Sequence, residues 1–470
     1  MSHNAPEISL SAVAGSVHLA ENHDFAYHAW SAAGIRGKTL VHVDAHHDTS
    51  WLADRSQLTI ANFVCQALHD GMLSEVWWVV PDATWTTHRN RRRILSQLRQ
   101  LVSRYPGRPK IRSERDRYSV VLLGAPFTVC AVGGLPRLSG DPLLDVDVDY
   151  FVTPTVGARV EAQSLPWGWP ADLVGSLERS GVRSDFVTVA YSVEGGYTPL
   201  RWKYLGQELQ ELFDGAVERE KLQGFELMRR AATAWQAGDL RGADRSYRDA
   251  ADRLSGSAAP LYHRALLALE QGLNEQARAL SANSVALDPS YRTPFGSGGF
   301  PALWNRELKE ADHQFQQALL LDPADPFGHL GVGLVALRRG DWTKAQVQFE
   351  TAVQLDPSLV DAYRGLGMVR ARLGQVASAI EAYERSLQLS LTGHRPITGP
   401  LLTSKGEIRL LDPDHALTHA LLARLHSRLG HRRRAIAGYR LSMAAGYRPL
   451  AARCSLAWQS FLELLAAAGN

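Results

Sequence analysis

The chain is 470 residues long, 45% hydrophobic, and carries 51 basic against 48 acidic side chains, a formal net charge of +3. That length allows roughly two to four domains, each able to bury a core, and the near balance of charge gives no reason to expect nucleic acid or a membrane surface as partner. Three widely separated cysteines, Cys65, Cys130 and Cys454, give no disulfide framework, and neither a secretory leader nor a membrane-length apolar run is recognisable, so a cytoplasmic location is expected.

Up to about residue 215, short β-rich runs alternate with helical or loop stretches. The runs are TLVHVDAH (39–46), EVWWVVP (75–81), YSVVLLG (118–124), FTVCAVGG (127–134), LLDVDVDYF (143–151) and DFVTVAYS (185–192). Near-continuous Val, Ile and Leu of this length, separated by amphipathic segments such as Arg91 to Arg104, predict an α/β domain whose parallel sheet is covered by helices on both faces. In such sheets ligands gather at the carboxyl ends of the strands.

Two of the runs end in acids at that place. Residues 41–48, Val-His-Val-Asp-Ala-His-His-Asp, deliver Asp44, His46 and Asp48 at alternating positions, which project from one side of an extended chain. Residues 143–151 set Asp145, Asp147 and Asp149 roughly 6 to 7 Å apart in series on one strand face, poor core material unless a cation neutralises them. His23, in AENHDFAYHAW, comes from a preceding element and can approach the same strand end. If Asp44 and Asp145 bridge two cations, His23 and Asp48 complete one site and His46 and Asp147 the other. So acid-rich a nitrogen and oxygen set favours two Mn²⁺ over a lone Zn²⁺. Asp149 either orients a ligand, stands near the leaving group, or replaces Asp147 as ligand.

After residue 215 the composition turns to Ala, Leu, Arg and Gln, and a 34-residue period begins. Gly238, Gly272, Gly340 and Gly374 fall on it, with Arg306 at the vacant node; Ala243, Ala277, Ala311, Ala345 and Ala379 follow five residues later, and Pro289, Pro323 and Pro357 close successive repeats within Leu-Asp-Pro. The register resumes at Pro413, Gly430 and Ala435 after an insertion of 22 residues around 392–413. These are tetratricopeptide-type repeats, about six of them. Glycine permits the tight interhelical turn, alanine lets two helices approach, and proline ends the second helix. The domains expected are 1–215 and 220–470, the second an all-α solenoid whose groove holds a peptide or protein partner.

The pattern His23, then Asp44-Ala45-His46-His47-Asp48, then Asp145-Val146-Asp147 resembles the arginase and agmatinase (ureohydrolase) superfamily. Within it, AENHDFAYHAW, LVHVDAHHD, LDVDVDYF and SVEGGYTP look like a divergent branch that includes peptide arginases, which convert arginine residues of ribosomally made precursor peptides to ornithine. The resemblance covers about residues 15 to 205. It implies an arginase-like fold, a binuclear manganese site and release of urea, a hydrolase acting on the C–N bonds of amidines. Glu194 is then the candidate that holds the substrate guanidinium by a bidentate pair.

The stretch TSWLADRSQLTIANFVCQ departs from the free-arginine enzymes. It lacks the polar cluster that binds a free amino acid's ends, and Asn62 falls close to where a proton-shuttling histidine is expected; His47 and His69 are the remaining candidates. The missing clamp favours an arginine inside a peptide, tethered by the repeats. Two other readings compete: a related metal-dependent C–N hydrolase acting on acetyl-lysine, a polyamine or a small guanidino compound, and a non-catalytic repeat scaffold with structural metal sites.

Overall fold

A computed structural model describes residues 16–51, 58–138, 140–158, 164–193, 197–214, 218–292, 299–304, 306–391, 415–445, 455–460 and 462. Glu194, the insertion at 392–413 and Cys454 lie outside the described residues. The chain divides into two compact units, Met1–Tyr291 and Arg292–Asn470.

The first unit holds an eight-stranded sheet: β1 (Ser16–Ala20), β2 (Lys38–Val43), β3 (Leu73–Val79), β4 (Arg112–Ser113), β5 (Arg117–Leu122), β6 (Ala125–Cys130), β7 (Leu143–Asp147) and β8 (Phe186–Ala190). Their order is β1-β8-β7-β2-β3-β6-β5-β4. The first six in that order pair parallel, as the apolar runs predict. β5 and β4 do not. Leu123 and Gly124 both take positive φ, 52° and 87°, so β5 and β6 form a two-residue hairpin and run antiparallel. A parallel crossover needs a dozen or more residues, which are absent there.

Alternation along the strands sends side chains to two different cores. Leu40, Val76, Trp78, Phe127 and Leu143 pack against Trp30 of α1 (Phe25–Ala32), Phe63 of α2 (Phe63–His69), and Ile94 and Leu98 of α4 (His88–Arg104), which follows the single turn α3 (Ala83–Thr86). Val41, Val43, Trp77, Leu144 and Val146 face the other way. They share a core with the short α5 (Asp149–Val152), with Leu173 of α6 (Pro170–Arg179) and with Leu205 and Leu209 of α7 (Tyr204–Phe213).

That second core does not stop at residue 215. It runs on through Phe225 and Met228 of α8 (Arg219–Gln236), Tyr247 of α9 (Leu240–Arg253) and Tyr262 of α10 (Ala259–Glu270), the helices of the first repeats, to Tyr291, just beyond α11 (Asn274–Leu287). Polar contacts reinforce the seam. The buried Lys203 ammonium donates to Asp288 Oδ2 at 3.2 Å and to Ser290 Oγ, His263 Nε2 meets the Arg201 carbonyl at 2.7 Å, and Arg229 pairs with the buried Glu208. The change in composition at 215 and the division between compact units at 291 are therefore different boundaries.

The second unit contains α12 (Gly299–Trp304), α13 (Leu308–Leu321), α14 (Pro326–Arg339), α15 (Trp342–Leu355), α16 (Val360–Arg372), α17 (Val376–Leu391), α18 (Ala416–Arg428) and α19 (Arg432–Ala444). The periodic residues do what their chemistry predicts in both units. Gly238, Gly272, Gly340, Gly374 and Gly430 sit at left-handed φ, and Arg306 at the vacant node takes the same conformation at 64°. Ala243, Ala277, Ala311, Ala345, Ala379 and Ala435 are wholly buried. The helices before Pro289, Pro323 and Pro357 end at Leu287, Leu321 and Leu355, each followed by an extended Asp. Among the described residues no helix is long and apolar enough to cross a membrane.

Candidate metal centre

The carboxyl ends of β2 and β7 meet beside the turn between β1 and α1. His23 comes from that turn, Asp44, His46 and Asp48 follow β2, Asp147 ends β7, and Asp149 opens α5. His23, Asp44, Asp48, Asp147 and Asp149 are buried, whereas the His46 side chain is 46% exposed. So many charged groups are not tolerated together in an interior without mutual compensation.

Their atoms converge in two groups. His23 Nδ1 has three carboxylate oxygens close by: Asp147 Oδ2 at 3.1 Å, and Asp44 Oδ2 and Asp48 Oδ2 at 3.2 Å. Neither His23 Nδ1 nor Asp44 Oδ2 makes a hydrogen bond, so contacts this near leave both buried atoms unsatisfied. His46 Nδ1 lies 2.7 Å from Asp149 Oδ2 and 3.6 Å from Asp44 Oδ1. Asp44, His46 and Asp149 therefore present ligand atoms within 4.8 Å of one another, and Asp44 is shared with the first group. Imidazole nitrogen and carboxylate oxygen in this mixture suit a hard or borderline divalent cation.

Asp145 is not placed as expected. Its Oδ2 faces His23 Nε2, the nitrogen turned away from the carboxylate group, at 2.8 Å, and also His42 Nδ1 at 2.8 Å; its Oδ1 accepts from the Thr188 hydroxyl at 2.5 Å. The cause is register. Asp145 pairs across the sheet with His42 and Thr188, two residues deeper than the strand end. Asp147, expected with His46, stands instead 3.1 Å from His23 Nδ1, and Asp149 lies beside His46, the alternative already open for it. The alternation read from the sequence holds for Asp145 and Asp147 only: the strand ends at Asp147, and the helical backbone of Val148 brings Asp149 to the site from the start of α5.

His42 was not singled out from the sequence, although it lies two residues before Asp44 on the same strand face and the period of two could have found it. It is wholly buried, with Nε2 3.3 Å from Asp44 Oδ2. Ser192, beyond β8, donates to Asp147 Oδ2 at 2.6 Å, and Tyr197 packs its ring edge-on to His46 at 5.0 Å. Both belong to the SVEGGYTP segment that carries the family resemblance, although neither was singled out there. Backbone amides also serve the cluster: His46 N donates to Asp44 Oδ1 at 2.7 Å and Asp149 N to Asp147 Oδ1 at 2.9 Å. Asp48 and Ser192 both hold left-handed φ, at 44° and 54°, a conformation that costs an ordinary residue about 1–2 kcal/mol and is concentrated at functional sites.

Charge crowding shifts the protonation of the cluster. Burial, then the neighbouring Asp44 charge, pushes the Asp48 carboxyl up to about 6, and burial with the Asp147 and Asp44 charges pushes Asp149 well above the usual carboxylate range. For His23 and His46 burial acts downward, but Asp145 for the one and Asp149 for the other outweigh it and raise both imidazoles well above their ordinary value. Asp145 resists its burial through the His23 charge and falls to about 2. Protonation thus compensates part of the carboxylate crowding in the cluster.

A cavity of about 300 Å³ opens over the cluster. Its floor is the ligand-bearing side chains, and Gln97, Gln100 and Arg104 of α4 form part of its wall, facing Ser192 and Tyr197. Of the proton-carrying candidates, His47 lines the cavity, with burial lowering its pKa to about 4, while His69 pairs with Asp70 at the end of α2 and is not among the lining residues. Asn62 stands just before α2 without a side-chain hydrogen bond to its first turn, its Oδ1 accepting instead from Thr59 N at 2.8 Å.

Residues 330–390 match the tetratricopeptide repeat family. The chain therefore carries tetratricopeptide repeats, devices that in general bind peptides or proteins. Solved structures similar to it include YrrB, described as a TPR protein with an unusual peptide-binding site (17% identity, 45% of this chain and 98% of that one, TM-score 0.28). Others are PilF of Pseudomonas aeruginosa (16%, 52% and 99%, 0.29) and MamA of Desulfovibrio magneticus (18%, 38% and 98%, 0.22). At these scores no argument about function rests on them. No curated protein matches the chain.

Proposed function

We propose that the first unit is an arginase-like binuclear metal hydrolase that converts arginine residues of a polypeptide to ornithine with release of urea. The convergence of three carboxylates on His23 Nδ1, beside a second group that shares Asp44, carries this reading. His23, Asp44, Asp48 and Asp147 would hold one cation, and Asp44, His46 and Asp149 the other, with Mn²⁺ the ion that best suits so many oxygen donors. Such a pair supplies an activated water at neutral pH.

The remaining steps fall to the chain itself. Asp145 accepts from His23 Nε2 and keeps Nδ1 free to ligate, so it orients a ligand rather than binding metal, while His42 Nδ1 meets the same carboxylate and its Nε2 stands among the ligand atoms of His23 and Asp44. The cavity is of a size for one long side chain, and its carboxylate floor draws in a guanidinium. Attack by water on the guanidinium carbon breaks the bond to the side-chain nitrogen, leaving urea and an ornithine amine that must take up a proton. The tetratricopeptide repeats support a polypeptide rather than a free amino acid as substrate, since a chain tethered to the protein is at raised effective concentration.

The test is urea release from an arginine-containing peptide by the Mn²⁺-loaded full-length protein, compared with free arginine and with an acetyl-lysine peptide. Turnover of the arginine peptide is expected. Release of acetate from the acetyl-lysine peptide instead would overturn the assignment.

A further inference from the structure

The chain's charge is balanced only on average. Residues 88–117 hold eleven arginines and lysines and two acids, Glu114 and Asp116. On α4, Arg89, Arg92, Arg99 and Arg104 are exposed, and after it so are Arg108, Lys110, Arg112 and Arg115. Arg117 pairs with Glu114 at 3.5 Å and Asp116 at 3.3 Å; the eight exposed cations make no ion pair among the described residues.

This arrangement is unfavourable for the helix that carries it. α4 has no acid in its first turn, where the helix dipole favours negative charge, and begins instead with His88, Arg89 and Arg91. Arg89 lies three and four residues from Arg92 and Arg93, spacings at which like charges repel. A merely solvated face would be more stable with acids interspersed.

We propose that the surface of α4 and the segment following it docks an acidic stretch of a polypeptide, the one whose target residue enters the adjoining cavity. Continuity carries the link: Gln97, Gln100 and Arg104 of the same helix line that cavity. The sheet edge lies alongside in sequence. β4 (Arg112–Ser113) is the terminal strand and is exposed, with backbone groups open to an extended chain. Nucleic acid fits less well, because single-stranded binders stack bases on exposed aromatic rings. The one aromatic in residues 88–117, Tyr105, is buried with its hydroxyl given to the Thr49 carbonyl at 2.6 Å. The identity of the entering residue as arginine rests on the reading above; the docking of an acidic chain does not.

The experiment is fluorescence anisotropy with the full-length protein and a short labelled peptide in which glutamates follow an arginine. The same peptide with glutamines, and a single-stranded RNA of similar length, serve as comparisons. The glutamate peptide is expected to bind at least about tenfold tighter than the glutamine peptide, with the margin shrinking at high salt. Arg92→Glu with Arg99→Glu, which lie outside the cavity lining, should erase that margin while leaving thermal stability and Mn²⁺ binding intact. Equal affinity for the two peptides, an undiminished margin in the double variant, or tighter binding of RNA at the same salt overturns the proposal. A wild-type protein that binds no Mn²⁺ defeats the hydrolase reading and leaves the docking result standing.

Discussion

Two interiors of this molecule are built on opposite plans. At their recurring interhelical position the repeats bury the small and the neutral: it is alanine in six places, each wholly enclosed. The strand ends of β2 and β7 bury charge, with five carboxylates and three imidazoles within one cluster and the atoms His23 Nδ1, His42 Nε2 and Asp44 Oδ2 left without hydrogen bonds. A close-packed apolar interior is complete in itself. A carboxylate cluster is not, and its stability must answer to cations in a way that the repeats' stability does not.

The largest effect separates the repeats that belong to the sheet from those that do not. A fragment ending at residue 215 loses Phe225, Met228, Tyr247, Tyr262 and Tyr291 from the core behind the sheet, and is expected not to fold. One ending at 291 should melt cooperatively by circular dichroism. A cooperative melt of the shorter fragment would show that the first repeats are an attachment rather than part of that core.

Next in size is Asp145→Asn. If Asp145 fixes His23 for ligation, its loss should weaken Mn²⁺ binding about 10- to 100-fold, measured by titration calorimetry, with His42→Gln following in the same direction. Loss of folding in the metal-free variant at neutral pH would instead make Asp145 a structural residue alone.

Protonation offers a smaller effect of definite sign. Asp48, Asp149, His23 and His46 all have folded-state pKa values above their ordinary ones, so the folded metal-free protein binds more protons than the unfolded chain. For Asp48 stability falls as pH rises from about 4 to about 6, and for the imidazoles it falls above about 6.5. Asp44 and Asp145 are shifted downward and act only under acid conditions, below about pH 4. The metal-free protein should therefore melt several degrees lower at pH 8 than at pH 6, and Mn²⁺, which competes with protons for the same atoms, should reverse the order. In the second unit the comparable group is the buried Asp325, pushed up to about 7 by burial, so that unit should also lose stability as pH rises from about 4 to about 7, but without any response to Mn²⁺.

How far the sequence shows these plans depends on the kind of signal. The repeats were legible almost residue by residue, because glycine, alanine and proline each have one physical reason to sit at one node. Even the vacant node kept its conformation in Arg306. The metal cluster was legible as a set but not as an arrangement. Alternation shows that Asp145 and Asp147 share a side, whereas the pairing of Asp145 with His42 and Thr188 is a matter of register between strands, which no single strand encodes. Ser192 and Tyr197 lie in the SVEGGYTP segment already marked by the resemblance, but their contacts with Asp147 and His46 were not legible because loop residues reach the site through tertiary packing. The hairpin of β5 and β6 was hidden by apolar runs that look alike in parallel and antiparallel sheets.

Arg306→Gly probes the smallest effect. Relief of about 1 kcal/mol of left-handed cost, partly offset by the freer unfolded chain that glycine brings, should raise the second unit's stability by less than about 1 kcal/mol in urea. A clear loss would mean that the arginine side chain contributes more than its backbone costs.

The most direct test of the central claim is the number of Mn²⁺ ions bound per chain, measured on the purified full-length protein and on Asp44→Asn, the one residue common to both groups. The account predicts two ions in the native protein and neither held tightly in the variant. No bound ion, or a single Zn²⁺ that Asp44→Asn leaves in place, would contradict it.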